Sequence, residues 1–349
     1  MSDPTAPVGS PVPESKPSQR VICVGDVHGN LTQLTALWKM LTTHLGEEEL
    51  RRTTVVFLGD YCDRGPDTRG VLDWLIALQR ERKQLGTAPA HFIAGNHDLA
   101  MAAFLGCLPI DGPAPSDAWL DGTKDPKWTD GFWPHGTGMH YQGRRWGALR
   151  TYNSRSTFRS YGVTPNVSPT FRSDELKPEM REELLAAVPQ AHKEFLASLR
   201  WVHDQPVAWK PGRLICVHAG LASGPGAAPA AAQLERLHAR DLTARVLYEG
   251  GDKAPKGGDS SRLAALVGRQ GVLPMPPELA DHAVLVSGHH GFSDLAHGHA
   301  DRLVLDHGGG SPLRPLEAVI LPERTVVSSD GSVACSAAYE PSDWRTPSD

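Results

Sequence analysis

No apolar run in the chain approaches the roughly 18 residues a bilayer-spanning helix requires, which excludes a helical membrane protein. Cysteine is scarce: Cys23, Cys62, Cys107, Cys216 and Cys335 are odd in number, far apart and never arranged as CxxC. That spacing excludes a disulfide framework or a zinc ribbon and points to a reducing compartment. Basic residues give no surplus either. With 35 Lys+Arg against 40 Asp+Glu, a net charge of −5 and a pI near 6.3, the chain is no nucleic-acid binder working through bulk charge. The first twenty residues hold no apolar stretch of the kind a secretory leader carries, and Asp3 and Glu14 among few basic residues speak against a transit peptide. What is present is apolar material for a large core, 40% of 349 residues, enough for two domains or one large sandwich.

Residues 1–19, with Pro4, Pro7, Pro11, Pro13 and Pro17 among small polar side chains, are expected to be a disordered tail, and 336–349 a second loose end. Between them the pattern predicts one domain over 20–335. RVICVG, TTVVFLG and AHFIAG read as buried strands. Each is followed by residues at helical spacing: Leu31, Leu34, Leu37, Trp38, Leu41 and Leu45; then Val71, Leu72, Leu75 and Leu78; then a run from about Leu99 to Leu105. Three such units predict parallel β-α architecture, with the chemistry in loops at the carboxyl ends of the strands. Residues 109–150 are rich in Gly, Pro, Asp and Trp with little periodicity, the mark of a functional insert. Helices are expected in SDELKPEMREELLAAV and PQAHKEFLASLRWVH, further strands in RLICV and HAVLVS, and an antiparallel meander in RLVLD, EAVIL and RTVVSS. Residues 222–232 and 250–258 read as low-complexity loops.

The polar residues sit at the strand ends. Three strands close in GDVHG (25–29), GDYCDRG (59–65) and GNHD (95–98), and two later ones in VHAGL (217–221) and SGHHG (287–291). A single GD or GNH arises by chance. Three in this order, roughly 35 residues apart and followed by two strand-terminal histidines, do not. Carboxylate, imidazole and amide oxygen together suit Mn, Fe or Zn. The count gives two divalent or trivalent ions: Asp26 and His28 on one, Asp60 bridging, and Asn96, His218 and His289 completing the other. Two such ions roughly 3.5–4 Å apart can share a hydroxide and clamp a phosphoryl group for in-line attack. His97 is the candidate general acid, and Asp63 the group that holds one of its nitrogens, with Asp98 as a weaker candidate. Arg64 suits non-bridging phosphate oxygens.

This constellation resembles the metallophosphoesterases and, within them, the PPP protein phosphatases. VICVGDVHG, FLGDYCDRGP, AGNHDLA, HYQGRRW, STFRSYGV, VHAGL, VSGHHG and the DHGGG-to-VILP segment together resemble the Rhizobiales-like phosphatases, bacterial-type enzymes also found in plants and algae. The resemblance covers most of residues 20–330. It implies an α/β (α+β) metallophosphoesterase-type β-sandwich flanked by helices on both sides, and hydrolysis of phosphomonoesters by direct attack of the bridging hydroxide. It also implies phosphoproteins as substrates, phosphotyrosine foremost, with cytoplasmic or nuclear residence and no obligate partner. GNHD, HAG and GHH replace the GNHE, HGG and RAH of Ser/Thr enzymes, and no SAPNYC-like loop follows, which implies insensitivity to the toxins that dock there. Three readings compete: a Ser/Thr phosphatase, a diadenosine-tetraphosphate hydrolase, which would usually lack an aspartate at position 63, and a binding-only module, which the full ligand set disfavours.

Other residues are weaker candidates. Arg144 and Arg145 beside Trp146 are read as a surface pair that either receives an acidic or phosphorylated peptide residue or packs its stems on aromatics. Arg269 is the candidate second phosphate-binding arginine, with Arg240 in competition. His290, His297, His299 and His307 read as loop and core residues rather than a third metal site, with His290 supporting His289. Cys62 has its arginine two residues on, where a thiol-dependent phosphatase would need CxxxxxR, and is rejected as a nucleophile.

Overall fold

The computed structural model describes residues 20–108, 139, 141–166, 177–240 and 264–335. The two terminal tails, the loop at 250–258 and most of the 109–150 insert lie outside these.

Two mixed sheets face each other. One has the order β11-β10-β9-β1-β2-β3, with β1 Val21–Val24, β2 Thr54–Phe57, β3 Ala90–Phe92, β9 Glu317–Leu321, β10 Thr325–Ser328 and β11 Val333–Cys335. The other runs β4-β5-β6-β8-β7, with β4 His203–Pro206, β5 Arg213–Cys216, β6 Val284–Ser287, β7 Ser293–Asp294 and β8 Arg302–Leu305. β1, β2 and β3 are parallel, as the repeated strand-helix pattern predicts. Alternation along β1 explains why its pattern is an unbroken apolar run. Val21 and Cys23 face the second sheet, packing with Val56, Leu58, Cys216, Val286 and Leu305. Ile22 and Val24 face outward, in a cluster with Leu34, Leu37 and Leu41 of helix α1 (Leu31–Leu45) and Val71, Leu72 and Leu75 of α3 (Thr68–Leu85). On the far side Ile215 and Leu285 share that apolar cluster with Leu234 and Leu237 of the Ala230–Ala239 helix. The fold is thus a helix-flanked sandwich. Across its middle the Cys23 and Cys216 sulfurs lie 3.8 Å apart as free thiols.

Three expectations need correction. The terminal meander is split: β8 joins the second sheet, parallel to β6, while β9 and β10 pair antiparallel in the first. The helix expected through 189–203 stops at Ser198, and the chain turns into β4, because Leu199–Val202 supplies side chains to the apolar core instead. Within the expected low-complexity loop at 222–232 the Ala230–Ala239 helix already begins, Pro229 fixing its entry. A short helix α2 (Glu47–Arg52), carrying Glu47, Glu48 and Glu49 in its first turn and Arg51 and Arg52 in its last, escapes the apolar pattern because only Leu50 is buried.

At the seam where the two edge strands meet, the rings of His91 (β3) and His203 (β4) stack at 4.3 Å and 30°. Burial pulls both imidazoles down, His91 to about 3 and His203 to about 4. Both are therefore neutral in the native state, while in the unfolded chain a histidine takes its proton near 6.5. As pH falls below that value the unfolded state gains protons the native state refuses, and stability drops. We expect the thermal midpoint of His203→Gln to fall less steeply between pH 7 and pH 5 than that of the parent protein. Parallel slopes would show that His203 is not a buried neutral group.

Candidate metal centre

The carboxyl ends of β1, β2, β3, β5 and β6 converge on one edge of the sandwich and bring the predicted ligands together. Asp60 stands at the middle. Its Oδ2 lies 3.5 Å from His28 Nε2, and its Oδ1 3.3 Å from His218 Nε2. Asp26 Oδ2 is 3.9 Å from His28 Nε2. On the other side Asn96 Oδ1 and His289 Nδ1 each approach His218 Nε2 to 3.2 Å. One carboxylate therefore offers an oxygen to each of two ligand groups. The geometric groups able to hold an ion among the described residues are His28, Asp60 and His97, and Asp60, His218 and His289.

The local backbone is built for this. Among the described residues ten non-glycines have left-handed φ, and five of them are His28, Asp60, Asp63, Arg64 and His289. That conformation costs roughly 1–2 kcal/mol per residue, so its concentration here marks a functional site rather than loose turns. Asp60's backbone carbonyl accepts from the N–H groups of Val27 and His28, at 3.1 and 2.7 Å, tying the β1 loop to the β2 loop. Helix α4 (Asn96–Leu105) begins at the ligand Asn96, and its unsatisfied amino end points at the carboxylate: His97 N–H donates to Asp60 Oδ1 at 2.9 Å. Gly95 permits this approach, since a Cβ there would lie 2.0 Å from that oxygen.

Backbone carbonyls orient the imidazoles. His28 Nδ1–H donates to Cys62 O at 2.9 Å and His218 Nδ1–H to Leu58 O at 2.8 Å, which leaves each Nε2 lone pair facing the centre. Asp26 accepts His289 N–H through both oxygens. Burial, with the Asp306 and Asp60 carboxylates close by, holds the Asp26 carboxyl well above the ordinary range. Burial also works to raise Asp60, but His218, His97 and His28 outweigh it and keep that carboxyl low.

The residues fit a metal on their own terms. His28 Nε2 and His289 Nε2 are buried without any hydrogen-bond partner. An orphaned buried polar atom costs about 1–3 kcal/mol, and the one on His28, 3.5 Å from Asp60 Oδ2 and 3.9 Å from Asp26 Oδ2, fits a bound divalent cation.

Beside the ligands lies a second layer. Asp63 Oδ2 takes His97 Nδ1–H at 2.7 Å and the Trp146 indole N–H at 2.8 Å, while Oδ1 takes the Thr157 hydroxyl at 2.6 Å. Burial pushes Asp63 up to about 8 against the Thr157 and Trp146 bonds, and pulls His97 down to about 3 against the pull of Asp60, so neither partner carries charge freely. Arg64 donates to His97 Nε2 at 3.2 Å and to Gly309 O at 2.5 Å, with its side chain on the open face.

The weaker candidates separate. Asp98 does not touch His97; it caps α4 by accepting the N–H groups of Gly95 and Tyr61. Arg269 is exposed at the rim and donates to His289 O, whereas Arg240 is turned away, bonded to Ala197 O. Arg145 lies over the Tyr152 ring, whose edge meets His97 at 4.8 Å. Arg144 departs from the expected surface pair: at 2% exposure it belongs to the interior, because the stretch 141–147 is a helix packed on α4, not an irregular loop. A peptide in solvent cannot reach it. Cys62 is fully buried, and burial pushes its thiol well above its usual range, which removes it as a nucleophile. His290 Nε2–H donates to Ala219 O next to His289, while His297, His299 and His307 engage Asp294, Asp301 and Glu317 away from the centre. Trp146 and Thr157 went unassigned because 83 and 94 residues separate them from Asp63; their only trace is their place in the QGRRW and STFRSYGV strings.

The model of the calcineurin-like phosphoesterases matches residues 19–309. The chain belongs to this family. A Caenorhabditis elegans protein whose name provisionally assigns it serine/threonine-protein phosphatase activity is 34% identical over 79 residues, a stretch spanning 23% of this chain and only 15% of that relative. Among solved structures, a cold-active protein-tyrosine phosphatase of a psychrophilic Shewanella is 14% identical, with a TM-score of 0.44 over 90% of this chain and 80% of that one. A protein provisionally described as a diadenosine tetraphosphatase is 18% identical, with a TM-score of 0.42 over 88% of this chain and 92% of that one.

A ligand that binds only the native state raises its stability by mass action. Added Mn should therefore raise the thermal midpoint of this calcineurin-like phosphoesterase and fail to do so for Asp60→Asn. An equal response of the two proteins would remove Asp60 from the centre.

Proposed function

We propose that this phosphoesterase is a metal-dependent protein phosphatase of PPP type, with phosphotyrosine in phosphoproteins as its substrate. The observation that carries the phosphatase reading is the placement of the Asp63–His97–Arg64 relay directly against the shared carboxylate of Asp60. Preference for phosphotyrosine rests on the likeness of GNHD, HAG and GHH, with the flanking strings, to the Rhizobiales-like phosphatases.

In this reading Asp26, His28 and Asp60 hold one ion and Asp60, Asn96, His218 and His289 the other. The two ions, when bound, supply charge stabilisation to the phosphoryl group and acidify the attacking water. The protein's own groups do the rest. Arg64 meets the non-bridging oxygens with a planar cation, and Arg269 on the opposite rim adds a second. His97, its Nδ1 committed to Asp63, must first take up a proton from solvent at Nε2, the atom that accepts from Arg64 in the resting site, and then passes it to the departing oxygen as the P–O bond breaks. Since these residues run from Asp26 to His289 and come from both sheets, residues 20–335 work as one catalytic unit.

A phenol has a pKa near 10, well below that of an alkyl alcohol, so it leaves with less help. His97→Asn should therefore retain a larger fraction of activity on aryl phosphates than on phosphoserine peptides. Equal fractional losses would argue against His97 as the acid. The substrate class is tested by matched phosphotyrosine, phosphothreonine and phosphoserine peptides with added Mn, taking Asp60→Asn as blank. Preference for phosphotyrosine is expected. Preference for phosphothreonine or phosphoserine would favour the serine/threonine reading instead, and turnover of diadenosine tetraphosphate alone would sink the protein-phosphatase reading.

A further inference from the structure

We propose that Trp146 and Thr157 are positioning residues for the proton transfer made by His97, and that their contribution grows as the leaving group becomes poorer. The proposal rests on the reading of His97 as general acid given above.

Three donors converge on one carboxylate. A carboxylate accepts along about four lone-pair directions. On Asp63 one direction at Oδ2 goes to the Trp146 indole and one at Oδ1 to the Thr157 hydroxyl, and Oδ2 also takes His97 Nδ1–H. Asp63, Trp146 and Thr157 are all fully buried, so no water can substitute for either donor. With two fixed donors on opposite oxygens, the carboxylate cannot rotate about its last bond, and the direction left for His97 is set. The ring follows: its Nδ1 is pinned, its flank meets the edge of Tyr152, and its Nε2 is aimed at Arg64 on the open face.

Both donors are themselves held rigidly. The Trp146 ring stacks on Phe158 at 5.3 Å and 23° and tilts against Phe104 at 5.0 Å, and the Ser154 hydroxyl grips its carbonyl. The Thr157 hydroxyl lies 2.9 Å from that of Thr68 on α3, and Asp63's own N–H reaches both hydroxyls at 3.1 Å. Two short helices, Tyr141–Gly147 and Arg155–Ser160, thus deliver one donor each to a residue in the same loop as Asp60. A fully buried tryptophan needs an acceptor for its N–H whatever its role, so only the dependence on leaving group separates positioning from packing. A phenylalanine would fill the same stack.

That contrast supplies the test. Trp146→Phe keeps an aromatic ring against Phe158 and removes the donor; Thr157→Val keeps shape and removes the hydroxyl; Thr157→Ser keeps the hydroxyl. With added Mn, kcat and KM are measured on p-nitrophenyl phosphate, phenyl phosphate and an alkyl phosphomonoester, for these variants, His97→Asn and the Trp146→Phe/His97→Asn double variant. The loss of one hydrogen bond that fixes the Asp63 carboxyl predicts a fall in kcat of about tenfold on the alkyl ester, and less than about threefold on p-nitrophenyl phosphate, with KM little changed. Thr157→Ser should restore activity across the series, and the double variant should be no worse than His97→Asn alone. If His97→Asn itself loses the same factor on every ester, the general-acid reading fails, and this inference with it. If His97→Asn is leaving-group dependent while Trp146→Phe and Thr157→Val lose a constant factor that multiplies with His97→Asn, the acid stands and the positioning role is overturned.

Discussion

The shared carboxylate of Asp60 is the constraint around which the rest is arranged. It must present an oxygen to each of two ligand groups while remaining charged in a dry interior. Burial alone would protonate it. Three imidazoles and the amino end of a fully buried helix offset that cost, and the geometry they require fixes the neighbourhood. The backbone at Asp60 is left-handed, the residue facing its oxygen has to be glycine, and its carbonyl has to receive two amides from the β1 loop. Position 310 shows the same pressure from the other side: a Cβ on Gly310 would sit 2.3 Å from the Cβ of His28, so the 306–310 loop can cover the first ligand group only without a side chain there.

Around that carboxylate, rigidity is assigned in layers. Backbone carbonyls set the two histidine tautomers, which makes them independent of side-chain variation nearby. His97 is held by side chains instead, through Asp63, and those side chains arrive from helices outside the sheets. The residues around Asp60 therefore depend on strand register, and His97 depends on helix packing.

Much of this was readable from the residues. Parallel β1–β3 followed from unbroken apolar runs ending in glycine, because strands buried on both faces have no polar alternation to blur them. The polar residues that follow those glycines are the ones the structure brings within about 4 Å of one another. What was not readable has a common physical character. Arg144 looked like a surface residue because charge is the usual sign of exposure, yet the helix it sits on is buried against α4. The strands RLVLD and EAVIL looked like neighbours because they follow each other closely, yet one pairs with β6 and the other with β1. Trp146 and Thr157 reach Asp63 only through tertiary packing, which no local pattern encodes. The stacked His91 and His203 likewise belong to strands that meet only when the two sheets close.

Consecutive candidate ligands are separated by up to 122 residues of chain, between Asn96 and His218, yet their spacing is decided by the strand ends on either side. For a flexible connection the entropy of closure rises only logarithmically with length, about 0.6 kcal/mol for each doubling. The segments between the ligand-bearing strands can accordingly lengthen, shorten or change sequence at small thermodynamic cost, provided the Trp146 and Thr157 helices still dock. The long stretch between GNHD and VHAGL is thus where the sequence has most freedom to change while the residues around Asp60 keep their places.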